Sequence, residues 1–324
     1  MASAFETLAR PAILAASRAT RLQRAVERLP VTRRVVRRFV PGETIEAVLG
    51  AVADLRATRR LVSIDHLGED VTDLAAAEAN VAAYLRLLDG LAGRDGGVGD
   101  GVDDGVAPLE VSLKLSALGQ ALGRDGERVA YENAHTICGR ADEHEVWVTV
   151  DAEDHTTTDT RLAIVAKLRA DFDSVGTVIQ AYLHRSEADC RELADAGARV
   201  RLCKGAYDEP ASVAYRGRDE VTAHYLRCLR VLIDGPGYPM VASHDPAVLD
   251  AVPALLRESG RGADDFEYQM LYGIRTDEQQ RLADDGNTVR VYVPYGTQWY
   301  GYFIRRLAER PANLMFFLRA LAGR

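Results

Sequence analysis

Between residues 61 and 293, short stretches in which apolar and polar residues alternate recur between longer stretches of helical periodicity. Eight of the short stretches predict strands: residues 61–65, 111–116, 146–151, 177–184, 199–203, 239–243, 266–271 and 288–293. Strands alternating with helices imply a parallel sheet joined by helical crossovers. Eight such units predict closure into a barrel, because an open doubly wound sheet has fewer strands and, for a dinucleotide, a glycine fingerprint after its first strand. That fingerprint does not follow residues 61–65. The expected fold is α/β: a distorted (β/α)8 TIM-type barrel over residues 61–324, an N-terminal helical segment over residues 1–60, and a C-terminal helix over the barrel mouth.

A barrel strand sends alternate side chains outward to the helices and inward to the lumen. In the second strand Val111, Leu113 and Leu115 share the outer face, so Ser112, Lys114 and Ser116 point inward. In the fourth, Ile179, Ala181 and Leu183 face the helices, and Gln180, Tyr182 and His184 face the lumen. Arg201 stands opposite Val200 and Leu202, the third strand runs into Asp151, and the eighth sets Arg290 and Tyr292 against Val289, Val291 and Val293. Polar and charged groups that gather at strand ends predict a ligand site, since active sites of such barrels lie at the C-terminal face. A lysine facing the lumen is costly unless an anion meets it. For Lys114 that anion is Asp151, a bound carboxylate, or both.

Composition narrows the function. With 324 residues, 47% of them hydrophobic, the chain can bury one large core. A net charge of -8 and a pI near 5.5 argue against a positive face for phosphates, so no nucleic-acid partner is expected. Lysine occurs only at Lys114, Lys167 and Lys204, so lysines in strand patterns stand out. Cys138, Cys190, Cys203 and Cys228 show no ligand spacing, and without a secretory pattern reduced thiols in a cytoplasmic setting are expected. Apolar runs fall short of the roughly 20 residues of a spanning helix, so membrane contact is expected to be peripheral if present. The arginines from Arg18 to Arg38 fit a solvated helix face beside the barrel, with an anionic membrane surface as the alternative. Residues 91–106, rich in glycine and aspartate, are expected to form a disordered surface loop and match neither GxGxxG nor a calcium loop.

The blocks VSLKLS (111–116), DAED (151–154), QAYLHR (180–185), RLCKGAY (201–207), ASHDP (242–246), EYQMLYG (267–273), VRVYVPYG (289–296) and WYGYFIRRLAERPAN (299–313) follow one another in the order of the proline dehydrogenase family, which the chain resembles. RRFVPGE (37–43) resembles the family as well, which implies that the first forty residues belong to the mature protein. The resemblance implies an FAD enzyme that moves a hydride from C5 of L-proline to flavin N5, forms 1-pyrroline-5-carboxylate, and passes electrons to a membrane quinone. On the matching positions it implies that Arg305 and Arg306, with Lys114, bind the substrate carboxylate and that Leu271, Tyr292 and Tyr302 shape the pocket. Arg201 is implied beside the reactive edge of the flavin and Gln180 against its ring. Ala152, Cys203, Lys204, Gly205, Ala206, Tyr207, Ser243, His244, Gln269 and Glu309 complete the implied cofactor site, which contains no metal. Asp151 is assigned as an orienting, charge-balancing group with a general-base role left open, and no residue identifies the proton acceptor by spacing. Cys203, Ser243, Asp245, Val221 and Gly301 depart from the residues usual in the family, which puts individual flavin contacts in question.

Arginine suits a carboxylate because its planar fork donates paired hydrogen bonds. Tyr302, Arg305, Arg306 and Glu309 share one face of a helix expected to start after an N-cap at Thr297 and to end at Pro311. The bland alternative is a surface pair of Arg305 with Glu309. Other readings are a metal-dependent barrel hydrolase or lyase using Asp151, Glu153, Asp154, His155, His184 and His244, a flavin dehydrogenase for hydroxyproline or another cyclic amino acid, and a barrel retained for binding alone. HEXXH spacing is absent and a metal site does not account for the arginine pair. Tyr292 fits L-proline better than a hydroxylated ring.

Overall fold

The alternating stretches form eight parallel strands whose outer faces are covered by the helices between them. The structure, a computed structural model, describes residues 36–92 and 109–309, with side chains up to residue 304. Strands β1 (Leu61–His66), β2 (Glu110–Leu113), β3 (Trp147–Val150), β4 (Val175–Gln180), β5 (Arg199–Cys203), β6 (Tyr238–Ala242), β7 (Glu267–Leu271) and β8 (Val289–Tyr295) pair in chain order, and β8 pairs with β1 to close the barrel. The helices are α1 (Ile45–Arg56), α2 (Leu74–Leu91), α3 (Gly126–Glu143), α4 (Thr158–Asp171), α5 (Ser186–Asp195), α6 (Arg218–Asp234), α7 (Pro246–Leu249), α8 (Val252–Ser259), α9 (Thr276–Asp284) and α10 (Trp299–Glu309). No helix among the described residues is long and apolar enough to cross a membrane.

Each helix owes its place to an apolar stripe and a local stop. In α1, Val48, Ala51, Val52 and Leu55 recur at helical spacing, are buried, and pack on the outward Val62 and Ile64 of β1. Thr44 caps this helix by accepting the Ala47 N–H at 3.3 Å, and Asp73 caps α2 in the same way at 2.9 Å. Outward strand residues such as Val111, Val148, Val200, Val241 and Val291 have no exposed surface. Fully burying one such side chain contributes about 1.5–3 kcal/mol, so the helix-facing side of the barrel carries much of the stability.

A separate apolar group closes the C-terminal mouth. Val36, Phe39 and Val40 pack there with Trp299, Tyr300, Tyr302, Phe303 and Ile304 of α10, and Leu271 and Tyr292 lie against the group. The Trp299 indole donates to Glu43 Oε1 at 3.0 Å, so the PGE segment near the start of the chain anchors α10.

Three expectations need correction. The fourth strand stops at Gln180, because the Leu183 N–H turns back to the Gln180 carbonyl at 3.1 Å. His184 and Tyr182 therefore leave the lumen: His184 packs edge-on to Tyr215 with Nε2 3.2 Å from the Ala211 carbonyl, and Tyr182 packs with Leu183 and Ala214. The second strand likewise ends at Leu113; Lys114 still points inward, but Ser116 binds the carboxylate of Glu153. Helix α10 begins at Trp299, two residues beyond the expected cap Thr297. The arginines Arg18 to Arg34, residues 93–106 of the Gly/Asp segment and Pro311 lie outside the described residues.

Candidate active site

The inward positions of β1, β2, β3, β5, β7 and β8 deliver one hydrogen-bonded cluster to the C-terminal end of the lumen. Lys114 Nζ lies 2.6 Å from Asp65 Oδ2, 3.3 Å from the Tyr292 hydroxyl and 3.6 Å from Asp151 Oδ2. The Tyr292 hydroxyl donates to Asp151 Oδ2 at 2.8 Å. On the other side of Asp151, Oδ1 accepts from Arg201 Nη1 at 2.7 Å. The guanidinium of Arg201 also donates from Nη1 to Ser112 Oγ at 2.8 Å, from Nη2 to Ser63 Oγ at 3.0 Å and Glu110 Oε1 at 2.5 Å, and from Nε to Gln269 Oε1. An arginine has five N–H donors; all five of Arg201 are occupied within the protein.

Below this level Arg199 meets Glu110 at 2.7 Å while stacking on Trp147 at 3.7 Å, and Arg290 meets Glu267 at 2.8 Å. The lumen thus sets Lys114, Arg199, Arg201 and Arg290 against Asp65, Glu110, Asp151 and Glu267, four cations to four anions. Burial would lower the Lys114 pKa, but the negative charges of Asp65 and Asp151 outweigh it and hold the ammonium above its ordinary value. Burial raises Asp151 despite the opposing pull of Lys114 and Arg201. Burial and then the charges of Asp151 and Asp65 push the Tyr292 phenol far up, so it stays protonated as a donor. Glu110 goes the other way: its burial is overcome by Arg201, Arg290 and Arg199, which keep it ionised well below the carboxylate range.

The residues assigned to a cofactor lie around the ends of β3 to β7. Gln180 is buried at the C-terminal end of β4. Gly205 has a φ of +110°, which an L side chain rarely adopts, and a Cβ there would run into the Tyr182 ring. Cys203 and Lys204 offer their carbonyls to Ala181 N at 2.7 Å and Tyr182 N at 2.9 Å, which holds this segment beside Gln180. Burial pushes the Cys203 thiol up to about 11. Lys204 Nζ donates to Thr222 Oγ1 at 2.7 Å and Asp245 Oδ2 at 2.5 Å. Those two partners line an open groove of about 890 Å³ together with Gly217 and Arg218 at the start of α6. Val221, where the family often has threonine, packs against Tyr182 and Leu183 instead. Ser243 Oγ accepts the Asp245 N–H at 3.1 Å, and His244 Nε2 accepts the Leu271 N–H at 2.9 Å, which fixes the Nδ1–H tautomer. Ala152, Ala206 and Tyr207 are half-buried at the ends of β3 and β5. The backbone of α10 includes Arg305, Arg306 and Glu309, but their side chains lie outside the described residues.

Asp65 and Glu110 are the residues that motif matching missed. Asp151, one of the anions expected opposite Lys114, is there at 3.6 Å, but Asp65 lies closer at 2.6 Å. The signal was present in the first strand, where Ser63 and Asp65 alternate with Val62 and Ile64. The metal-site alternative loses its geometry. Asp151 is taken by Arg201 and Tyr292, Glu153 by Ser116, Asp154 by Thr156, His155 by Glu209, His184 by Ala211 and His244 by Leu271. Among the described residues no three His, Cys, Asp or Glu side chains are grouped as metal ligands.

Comparison with known proteins extends this picture. Residues 48–319 match the family described as proline dehydrogenase. A proline dehydrogenase of Deinococcus radiodurans is 38% identical over 286 residues, covering 88% of this chain and 89% of that protein. Proline dehydrogenase 1 of Bacillus subtilis is 36% identical over 290 residues, covering 90% and 91%. Proline utilization A (PutA) from Bdellovibrio bacteriovorus, inactivated by N-propargylglycine, superposes with a TM-score of 0.79 at 25% identity over 86% of this chain and 33% of its own. A PutA with proline bound in remote sites gives 0.68 at 27% identity over 87% and 31%. The chain spans about a third of the length of these PutA structures. A family match over most of the chain, carried on a closed eight-stranded barrel, makes this chain a member of the proline dehydrogenase family.

Proposed function

We propose that this chain oxidises L-proline to 1-pyrroline-5-carboxylate with FAD as its bound oxidant and a membrane quinone as the final acceptor. The family membership supports proline as substrate. The observation that carries the reading is the cluster of Lys114, Asp65, Asp151, Tyr292 and Arg201 at one end of the lumen, beside the apolar Leu271 and Tyr302. An aliphatic ring with a carboxylate needs this combination of an apolar wall and a charged floor.

The charge balance of the floor assigns work to α10. Because each lumen cation already has a carboxylate partner, an incoming substrate carboxylate requires further positive charge. We assign that charge to Arg305 and Arg306, with Lys114 as the third donor. Lys114 is held by two carboxylates and a phenol, so its ammonium is placed before the substrate arrives and loses little freedom on binding. Tyr302 and Leu271 wall the ring, and the Tyr292 hydroxyl, locked onto Asp151, takes up the space that a ring hydroxyl would need. Asp151 is an orienting group, since its two oxygens already accept from Arg201 and Tyr292.

The residues present fit a flavin. Gln180 supplies a buried side-chain amide at the end of β4, Gly205 carries the chain past β5 in a left-handed turn packed on the Tyr182 ring, and Arg201 supplies fixed positive charge. The groove at the start of α6 would take the phosphate-bearing half through Arg218 and Lys204, which would have to exchange the carboxylates that also line it, Asp219, Glu220 and Asp245, for the phosphates. Ala152, Cys203, Ala206, Tyr207, Ser243, His244, Gln269 and Glu309 complete the proposed seat. When bound, FAD supplies the two-electron acceptor for the hydride leaving proline C5, while the amine proton leaves separately. Arg201 would hold a fixed positive charge beside such an acceptor.

The test is spectroscopic. Purified or FAD-reconstituted protein should show the visible flavin bands and bleach with L-proline, but not with D-proline or hydroxyproline. Arg305→Met and Arg306→Met should raise the KM for proline while flavin stays bound. A protein that stays colourless with added FAD, or a double variant with unchanged proline kinetics, would sink the reading.

A further inference from the structure

A charged layer lies beneath the active site, and Glu110 is its centre. Its side chain is fully buried. Oε1 accepts from Arg201 Nη2 at 2.5 Å, and Oε2 accepts from Arg199 Nη2 at 2.7 Å and Thr149 Oγ1 at 2.9 Å. On the same level Glu267 holds Arg290 at 2.8 Å, so three arginines face two carboxylates. Buried ion networks are often no more stable than well-packed apolar residues of similar volume. Stability alone is therefore a weak reason to find five charged groups at the bottom of a lumen.

Their effect on Arg201 is more specific. Glu110 and Ser63 take both Nη2 protons, Asp151 and Ser112 take both Nη1 protons, and Gln269 takes Nε–H. The guanidinium plane cannot turn without breaking bonds on both sides. With every N–H directed at protein, Arg201 presents charge to the barrel mouth, and Glu110 lies in direct contact to offset part of it.

We infer that Glu110 is a positioning residue for Arg201: it fixes the guanidinium plane from below and limits how much of its positive charge reaches the bound flavin. The inference rests on the proposed seat of the flavin beside Arg201. Glu110 takes no part in substrate contact, since Arg201 and the serines stand between it and the mouth.

Glu110→Gln keeps the side-chain shape and an acceptor for Arg201 but removes the charge. The less compensated guanidinium then favours the anionic reduced ring. The flavin midpoint potential, measured against a reference dye, should rise, with the reduced-to-oxidised equilibrium increasing about tenfold, or ~30 mV for a two-electron couple. Glu267→Gln is the control, because it loses a carboxylate at the same depth that pairs with Arg290 and reaches Arg201 only through Gln269, whereas Glu110 touches Arg201 directly. It should lose similar unfolding stability with a clearly smaller change in potential. Equal shifts in the two variants, or no shift in Glu110→Gln, would overturn the inference. Should Glu110→Gln fail to fold, the double variant Glu110→Gln with Arg199→Met removes a cation together with the anion. Its potential should stand above that of Arg199→Met alone, and equal potentials would overturn the inference. Wild-type protein that takes up no flavin would sink the functional reading and this inference together, whereas a loaded wild type with an unshifted Glu110→Gln sinks the inference alone.

Discussion

Replacing Lys114 by methionine tests whether the lumen cluster is held by charge. Methionine keeps most of the stem volume, so packing changes little and the loss falls on the ammonium. That group is 2.6 Å from Asp65 and 3.6 Å from Asp151, with side chains 11%, 1% and 11% exposed. At an effective dielectric near 20, one pair at about 4 Å is worth ~4 kcal/mol before desolvation is counted. Removing one partner of a buried pair costs about 3–5 kcal/mol, because the other charge stays buried without compensation. We expect Lys114→Met to lose about 3–5 kcal/mol at neutral pH.

The loss depends on pH in a definite direction. Asp151, whose pKa burial already raises, loses in the variant the opposing pull of Lys114, so its folded-state value rises further above that of the unfolded chain. Its contribution is fully present below the unfolded value and is lost as pH rises through the folded one. In the wild type the raised Lys114 pKa keeps its contribution intact until strongly alkaline pH. The gap between the two proteins should therefore be smallest in acid and widen up to neutrality. Urea unfolding followed by tryptophan fluorescence between about pH 5 and about pH 8 measures it. A gap that stays constant across this range, or a loss below ~1 kcal/mol, would refute the compensation argument.

Three further outcomes are expected. Gly205→Ala forces an L side chain into a left-handed backbone and onto the Tyr182 ring; it should lose about 2–4 kcal/mol in urea unfolding and retain less flavin on gel filtration. Tyr292→Phe removes a buried hydrogen bond to a carboxylate at 2.8 Å, so stability should fall by about 1.5–3 kcal/mol, and hydroxyproline should gain on proline as measured by the ratio of kcat/KM. Because its arginine neighbours depress the Glu110 pKa, that carboxylate contributes stability above its unfolded pKa and loses it as pH falls through the folded value; the acid limb of the stability curve should be shallower in Glu110→Gln.

Much of the site was legible because a strand has a period of two. Lys114, Arg201, Arg290 and Tyr292 each sit between apolar neighbours that can only face the helices, and all four were expected in the lumen where the structure has them. The same rule failed where its premise lapsed. Parity carries no information past the last strand residue, Gln180, so Tyr182, inside the turn that returns Leu183 to Gln180, and His184, just after it, were sent to the wrong side. Motif order pointed to the family, yet it passed over Asp65 and Glu110, which lie outside the matched blocks.

Sequence alone determined the barrel class, the inward set of cations and the family, since these depend on local periodicity and motif order. Which cation meets which carboxylate was decided only by the folded structure. Lys114 takes Asp65 from β1, and Arg201 gathers Ser63, Glu110, Asp151 and Gln269 from four other strands or strand ends. Such pairings span the lumen between residues far apart in the chain, and they follow from the stagger of closed parallel strands, a property that no single strand's pattern contains.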